Sequence, residues 1–249
     1  MLFRSDIQAR RLTQELELKF GVEQGAAATL KAHSIWDGYD QVSLNATYFD
    51  TPDLALNRAG LSLRIRNGIQ TLKADVGSGT GLFHRGEWEQ TLPDSLLDLE
   101  ALAGTPLAAL KLKREDLLPI IQVDMDRWVK SVSWKQSQIM LRLDQGTIWT
   151  ESRQVPLCEL ELELVSGEVG DLFNLAQFLA ASIRLLPSSI SKVQRGYALL
   201  VEPDPKTRLQ ALGLKGLSRG DAFAQLARHC LEHVLIRSEE HTSELQSPC

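Results

Sequence analysis

Glu15, Glu17 and Lys19 alternate with Leu16, Leu18 and Phe20, and this alternation is the first sign of chemistry in the chain. Side chains on a strand point to opposite faces with period 2, so a strand here sets charged groups on one face and apolar groups on the other. The pattern recurs. Leu61-Ser62-Leu63-Arg64-Ile65-Arg66 opposes guanidiniums to aliphatic side chains, and Glu159-Leu160-Glu161-Leu162-Glu163-Leu164 opposes carboxylates to leucines. Gathered along the chain, the strand-borne acids are Glu15, Glu17, Asp144, Glu159 and Glu161, with Glu87 and Glu163 as further candidates. The bases are Lys19, Arg64, Arg66, Lys73, Arg127 and Lys192. Stacked carboxylates with no histidine nearby suit a hard cation, Mg²⁺ or Mn²⁺, better than zinc. Clustered lysines and arginines suit phosphate oxygens. A chain that carries both suits a metal-bound polyphosphate.

Each residue alone has a plainer reading. Glu163 or Glu89 could face water, Lys73 could be a surface hairpin lysine, and Arg127 could pair only with Asp124 or Asp126. Together they are harder to dismiss, because unbalanced like charges opposite one another across strands are destabilising. The joint pattern points to a barrel whose outside is covered by helices and whose inside is a hydrated, charged channel.

The elements that must hold these residues follow from the same periodicity. After the opening strand, Val22 to Ala32 is alanine-rich and helix-compatible. Gln41 to Phe49 alternates as a strand, and Asp53 is placed to cap a short helix from Leu54 to Arg58. Leu61 to Arg66 and Gln70 to Val76 form a hairpin around Asn67-Gly68, a strong two-residue turn signal. Gly77 to Gly81 is a flexible loop without the Gly-Lys-Ser/Thr ending of a phosphate-cradling P-loop. Glu87 to Leu92 is a strand, and Asp94 to Leu118 is leucine-rich and helical in pieces. Strands follow at Ile120 to Met125, Trp128 to Trp134 and Gln138 to Asp144. Asp144-Gln145-Gly146 then makes a tight turn into Thr147 to Glu151. Asp171 to Ile183 is an amphipathic helix, and Lys192 to Leu200 closes the domain. Glu202-Pro203-Asp204-Pro205 marks a boundary. Asp221 to Ile236 beyond it is helical by period, as the first helix of a second, truncated domain.

Composition excludes some classes. Net charge is −5 over 249 residues, and aromatics are 6% and not interleaved with basic residues, which argues against nucleic-acid binding. No apolar run approaches the roughly 18 residues that span a bilayer, and Met1 to Gln14 lacks the apolar core of a signal peptide. The three cysteines show neither metal nor disulfide spacing, so the expected compartment is the cytoplasm. His229 and His233 lack the flanking glutamate of a zinc-protease helix, and Ser191 has no histidine base near it. Residues 237–249, from Arg237-Ser238-Glu239 to Cys249, read as a translated sequencing adapter and are set aside from fold reasoning.

Glu15-Leu16-Glu17-Leu18-Lys19 resembles the ExExK signature of the CYTH superfamily, the triphosphate tunnel metalloenzymes. The likeness continues, in family order, through Tyr48-Phe49-Asp50-Thr51, Leu63-Arg64-Ile65-Arg66, Thr71-Leu72-Lys73 and Arg85-Gly86-Glu87-Trp88. It extends through Leu143-Asp144-Gln145-Gly146, Cys158 to Leu164, and Ser191-Lys192-Val193-Gln194-Arg195-Gly196-Tyr197. Alone, Glu-x-Glu-x-Lys is a weak signal; the ordered set is specific. With its helical segment after residue 204, the chain is most similar to the bacterial members that act as inorganic triphosphatases, in which a CYTH domain precedes a helical CHAD domain.

The resemblance implies an α+β fold, a closed antiparallel eight-stranded β-barrel tunnel with flanking helices, followed by the start of a helical domain. The expected divisions are an extension at 1–14, the tunnel domain at 15–201, a linker and first CHAD-like helix at 202–236, and the adapter-like tail. It further implies that Glu15, Glu17, Asp144, Glu159 and Glu161 hold Mg²⁺ or Mn²⁺, while Lys19, Arg64, Arg66, Lys73, Arg127 and Lys192 grip the substrate. Glu15, Glu17, Lys19, Arg64 and Arg66 carry the catalytic expectation. The implied reaction is metal-dependent hydrolysis of inorganic tripolyphosphate to pyrophosphate and phosphate. Thiamine triphosphatase, class IV adenylyl cyclase and a non-catalytic polyphosphate-binding module stand as alternatives. The implied partners are a triphosphate, and polyphosphate through the helical domain, with neither nucleic acid nor membrane. The lead-in before Glu15 is longer than the family pattern, and most of the second domain is missing.

Overall fold

Each alternating stretch becomes a strand of a single antiparallel sheet. The computed structural model describes residues 16–75, 85–94, 96–188 and 190–201, with scattered helical positions between 220 and 231. The lead-in with Glu15, the Gly77–Gly81 loop, His84, the Glu202–Pro205 boundary and the 237–249 tail lie outside the described residues. The strands are β1 (Glu17–Val22), β2 (Asp40–Asp50), β3 (Leu61–Arg66), β4 (Ile69–Asp75), β5 (Arg85–Thr91), β6 (Leu118–Trp134), β7 (Ser137–Trp149), β8 (Gln154–Ser166) and β9 (Leu185–Pro187). Their order across the sheet is β5-β4-β3-β2-β6-β7-β8-β1-β9. Within the stretch that holds the sheet, the described α-helices are α1 (Gln24–Lys31), α2 (Ala55–Arg58), α3 (Val169–Ala180) and α4 (Lys192–Leu200).

This corrects the expected closed, eight-stranded barrel. The sheet has nine strands, and among the described residues no ladder joins β5 to the far side. The reason is local. β9 occupies the free edge of β1, pairing Phe20 with Pro187 and Val22 with Leu185. The Ser188 amide then donates to the Lys19 carbonyl at 2.9 Å.

Period 2 divides the sheet into two unlike faces. On one, the leucines of β7 and β8 (Leu141, Leu143, Leu160, Leu162) pack with Ala27 and Leu30 of α1 and with Leu172, Leu175 and Leu179 of α3. Farther along that face, Leu61, Leu63 and Leu72 are covered by Leu97, Leu102, Leu107 and Leu117. The latter come from the leucine-rich stretch expected to be helical. Only two short 3₁₀ turns form there, at Pro106–Leu110 and Arg114–Asp116. Gln70 holds this segment open: its side chain donates to the Asp98 carbonyl and accepts from the Asp98 amide, both at 2.9 Å. Burying a leucine contributes about 1.5–3 kcal/mol, against helix preferences of at most about 0.7 kcal/mol per ordinary residue. Coverage of the sheet therefore wins over helix formation.

The opposite face carries the charged residues and one apolar island, where Tyr197 of α4 packs with Ala46, Ile121, Val123, Ile148 and Leu157. Helix α4 thus lies on the charged face. It begins with a reciprocal cap: the Ser191 hydroxyl accepts from the Gln194 amide, and the Gln194 side chain accepts from the Ser191 amide at 2.8 Å.

Three local expectations change. Ile120–Met125 and Trp128–Trp134 are one continuous strand, β6, and the turn expected at Asp144-Gln145-Gly146 lies inside β7. Arg127 and Asp144 sit opposite each other in the ladder, so their charges neutralise across strands and break neither. Gly146 marks a close approach of backbones: a Cβ there would lie 2.0 Å from the Asp124 carbonyl oxygen. Finally, α2 is not capped by Asp53. The Asp50 carboxylate accepts from the amides of Leu56 and Asn57, and the Thr51 hydroxyl accepts from Ala55. The hairpin at Asn67-Gly68 forms as expected, both residues having positive φ (49° and 76°).

Gly146→Ala is expected to destabilise the fold by about 3 kcal/mol, the upper end of ordinary overpacking costs, because its new methyl group meets main chain that cannot swing aside. Urea unfolding measures this; a variant within 0.5 kcal/mol of wild type, roughly the scatter of neutral surface changes, would contradict the close approach.

Candidate functional site

Four neighbouring strands bring the first charged group together. In register, Lys19 of β1 faces Glu161 of β8, Glu159 faces Asp144 of β7, and Asp144 faces Arg127 of β6. Asp144 and Glu159 are fully buried and Glu161 is 8% exposed. One carboxylate oxygen from each lies within 4.8 Å of the others.

Carboxylates this buried require compensation, since desolvation alone would neutralise them. Arg127 supplies it bidentately, with Nε and Nη2 each donating to Asp144 at 2.6 Å, and Nη2 also 3.4 Å from Glu161. Lys192, the first residue of α4, places its ammonium 2.8 Å from Asp144 and 3.2 Å from Glu161, and pairs with Glu159 as well. Lys19 stands 3.5 Å from Glu161 and 3.9 Å from Glu159. Arg195, one turn along α4, reaches Glu159 Oε2 at 3.3 Å, an ion-pair distance without hydrogen-bond alignment. Burial pushes the carboxyls of Asp144 and Glu161 up, but Lys192 and the other cations win and hold both below the ordinary range. The same carboxylates raise Lys192 and Arg127 against the opposing effect of burial.

The second group occupies the same face on β2, β3 and β4. Arg64 lies between Tyr48 and Thr71, and Arg66 lies opposite Ala46. Among the described residues, no carboxylate comes within ion-pair distance of either arginine, and Arg64 Nε is buried without a hydrogen-bond partner. Burial, followed by the neighbouring guanidiniums of Arg64 and Arg127, lowers the Arg66 pKa. Burial would raise the Tyr48 hydroxyl, yet the charge and hydrogen bond of Arg64, with Lys192 and Lys73 beyond, hold it below its usual value. The Tyr48 shift, made against burial, reports a region of excess positive charge, which is a site for an anion. Lys73 borders it, 3.2 Å from Glu87.

The expected residues are therefore distributed as follows. Asp144, Glu159, Glu161, Lys19, Arg127 and Lys192 converge; Arg64, Arg66 and Lys73 form the adjoining cationic region. Glu17 shares the face but sits opposite Glu163, outside the group of three carboxylates, and Glu163 is paired with Arg142. Glu15 lies outside the described residues. Sequence reasoning missed Tyr48, Arg142 and Arg195 as members. Two were open to discovery: Arg142 is two residues from Asp144 on its strand, and Arg195 is three from Lys192 on a helix, which places it on the same side. Tyr48 shows its place only once β2 is known to pair with β3.

The three-carboxylate group fits a divalent cation, since its donors are all oxygens and include no sulfur or nitrogen. A separate cavity of about 440 Å³, bordered by Ser43, Asn45, Asp124 and Asp126, opens on the other face. Its acids are already bonded to Ser43 and Asn45.

Because Asp144 and Glu161 have depressed folded pKa values, they stabilise the fold while ionised. That contribution is complete above the unfolded values of about 3.9–4.3 and is lost as pH falls through the lower folded values. Denaturant unfolding is thus expected to show wild-type stability dropping more steeply between about pH 4 and pH 2 than that of Asp144→Asn. Parallel curves would remove the ion-pair account.

The CYTH domain family model matches residues 13–197. An inorganic triphosphatase of Haemophilus influenzae is 33% identical over 200 residues, 76% of this chain and 55% of that protein. The chain thus spans about half the length of that relative. Among solved structures, a Hippeastrum protein studied as an adenylyl cyclase, and described as revealing a dominant triphosphatase activity, superposes with a TM-score of 0.54 at 16% identity. That match covers 76% of this chain and 98% of the other. At such identity the likeness is one of fold. The family match spans every strand of the sheet and both charged groups, and on that ground the chain belongs to the CYTH family.

Proposed function

We propose that the protein hydrolyses inorganic tripolyphosphate to pyrophosphate and phosphate. The observation that carries this reading is the adjacency, on one face, of a buried three-carboxylate group and two arginines that have no acidic partner among the described residues. A phosphate-binding module needs only the cations; the carboxylates are the additional equipment of catalysis. The triphosphatase name of the Haemophilus relative supports the same choice.

In this reading Arg64 and Arg66 hold the phosphate chain through oxygens on its non-reacting units, while Lys73 and Lys19 flank them. Arg127 and Lys192, already charged and fixed by Asp144, Glu159 and Glu161, face the phosphoryl group being transferred. Asp144, Glu159 and Glu161, with Glu15 and Glu17, would hold Mg²⁺ or Mn²⁺, which when bound supplies neutralisation of phosphate charge. Water attacks the terminal phosphorus in line, the bridging P–O bond breaks toward pyrophosphate, and the proton of the attacking water leaves to solvent. Positioning and charge stabilisation suffice, because phosphoryl transfer asks for little covalent chemistry from the protein. The finer picture completes the family expectation: a cytoplasmic setting, and polyphosphate contact through a helical second domain. No helix among the described residues is long and apolar enough to cross a membrane.

The test is phosphate release from tripolyphosphate, with and without Mg²⁺ or Mn²⁺, beside ATP and thiamine triphosphate. Metal-dependent release from tripolyphosphate is expected to dominate; cyclic AMP from ATP, or binding without release, would replace the reading. Arg64→Ala is expected to lower kcat/KM by about a hundredfold or more with an unchanged circular dichroism spectrum. Activity within twofold of wild type would dissociate the cationic region from catalysis.

A further inference from the structure

We infer that Asp50 and Tyr197 are positioning residues for Lys192, joined in a buried hydrogen bond that sets where α4 delivers its ammonium. This rests on the functional reading above for its consequence, though not for its geometry. Asp50 ends β2 and is fully buried. Its Oδ1 accepts from the amides of Thr51 at 2.7 Å and Leu56 at 2.8 Å, and its Oδ2 accepts from the amide of Asn57 at 3.0 Å. Those three bonds fix the carboxylate to the main chain and cap α2. The fourth comes from a distant element: the Tyr197 hydroxyl donates to Oδ2 at 2.7 Å.

The bond acts on a helix that has little freedom left. Beside Tyr197, Gly196 lies so close to β6 that a Cβ would meet Ile121 Cγ2 at 2.5 Å. Lys192 is four residues before Gly196, on the same side of the helix. It is about 7.5 Å along the axis from Tyr197 at 1.5 Å per residue. A helix of this length moves as a rod. A shift or rotation at Tyr197 therefore reaches Lys192, where contacts of 2.8 and 3.2 Å to Asp144 and Glu161 leave small tolerance. Capping α2 would not need a donor from α4. The Asp50 carboxylate makes β2, which carries Tyr48 of the cationic region, the reference against which α4 is placed.

Tyr197→Phe isolates the bond, because the ring keeps its packing against Ile121, Ile148 and Leu157 and only the hydroxyl is lost. The full chain, free of metal and substrate, is acylated with acetic anhydride and each lysine's rate is mapped by mass spectrometry. In wild type the Lys192 side chain is 11% exposed and Lys19 12%, so both are protected. In Tyr197→Phe the Lys192 rate is expected to rise about threefold to tenfold, the range of one hydrogen bond, while Lys19, carried by β1, stays within twofold. An unchanged Lys192 rate overturns the inference. So does uniform acceleration at all lysines, which would mean a general structural role.

Kinetics supply the second arm. Tyr197→Phe is expected to reduce tripolyphosphate turnover about threefold to tenfold when Lys192 is present, and to add no loss in a Lys192→Met background. Additive losses overturn positioning. A wild-type chain that releases no phosphate from tripolyphosphate overturns the functional reading instead, and the acylation rates still decide the role of the bond.

Discussion

Everything on the charged face depends on the mutual neutralisation of Asp144, Glu159 and Glu161 by Lys19, Arg127, Lys192 and Arg195. An isolated carboxylate in so dry a place would take up a proton. Here the cations prevent it, and the depressed carboxyl pKa values of Asp144 and Glu161 are the direct sign. The compensation is distributed: one cation comes from β1, one from β6 and two from α4. No single element can assemble the group. Sheet register and the docking of α4 must both be right for the site to exist.

The apolar face is what makes that register reliable. A slip of one residue in β8 would put Leu160 and Leu162 where Glu159 and Glu161 belong, and would carry the glutamates into the cluster formed with α1 and α3. The penalty falls on both faces at once. Alternation of leucine with charge in β1, β3 and β8 therefore encodes function and strand pairing in the same residues. The helices add shape. α1 and α3 close the apolar face, and α4 crosses the other with a tyrosine in an apolar island and a lysine among the acids.

This explains which features could be read before folding and which could not. The two-faced strands and most of their charged members were legible, because period 2 is a property of the local sequence. The continuity of β6 and β7 was not. Asp144-Gln145-Gly146 has the composition of a turn, and only the partner strand shows that Arg127 neutralises the aspartate and that the glycine admits the Asp124 carbonyl. Likewise Asp53 had the better local claim to cap α2, yet Asp50 does so because it is buried where α2 and α4 meet. β9 is three residues long with a proline, below what periodicity can reveal, and it decides that β1 is not a free edge. The two arginines of β3 were visible as a pair, but their lack of acidic partners among the described residues is a property of three strands together.

The two charged groups also explain each other. Arg127 and Lys192 contact the carboxylates, while Arg66 feels Arg127 and Tyr48 feels Lys192, so the acidic and cationic regions share members. On the proposed reading, phosphate oxygens arriving at Arg64 and Arg66 compete with Asp144, Glu159 and Glu161 for Arg127 and Lys192. Any cation drawn toward phosphate leaves buried carboxylates short of positive charge, which the interior does not tolerate. A divalent ion held by those carboxylates makes up the deficit. Substrate and metal affinities are then linked through two shared side chains, each ligand relieving the charge imbalance that the other creates. A chain with only the arginines could bind polyphosphate without this linkage. One with only the carboxylates would hold a metal and have nothing to present to it.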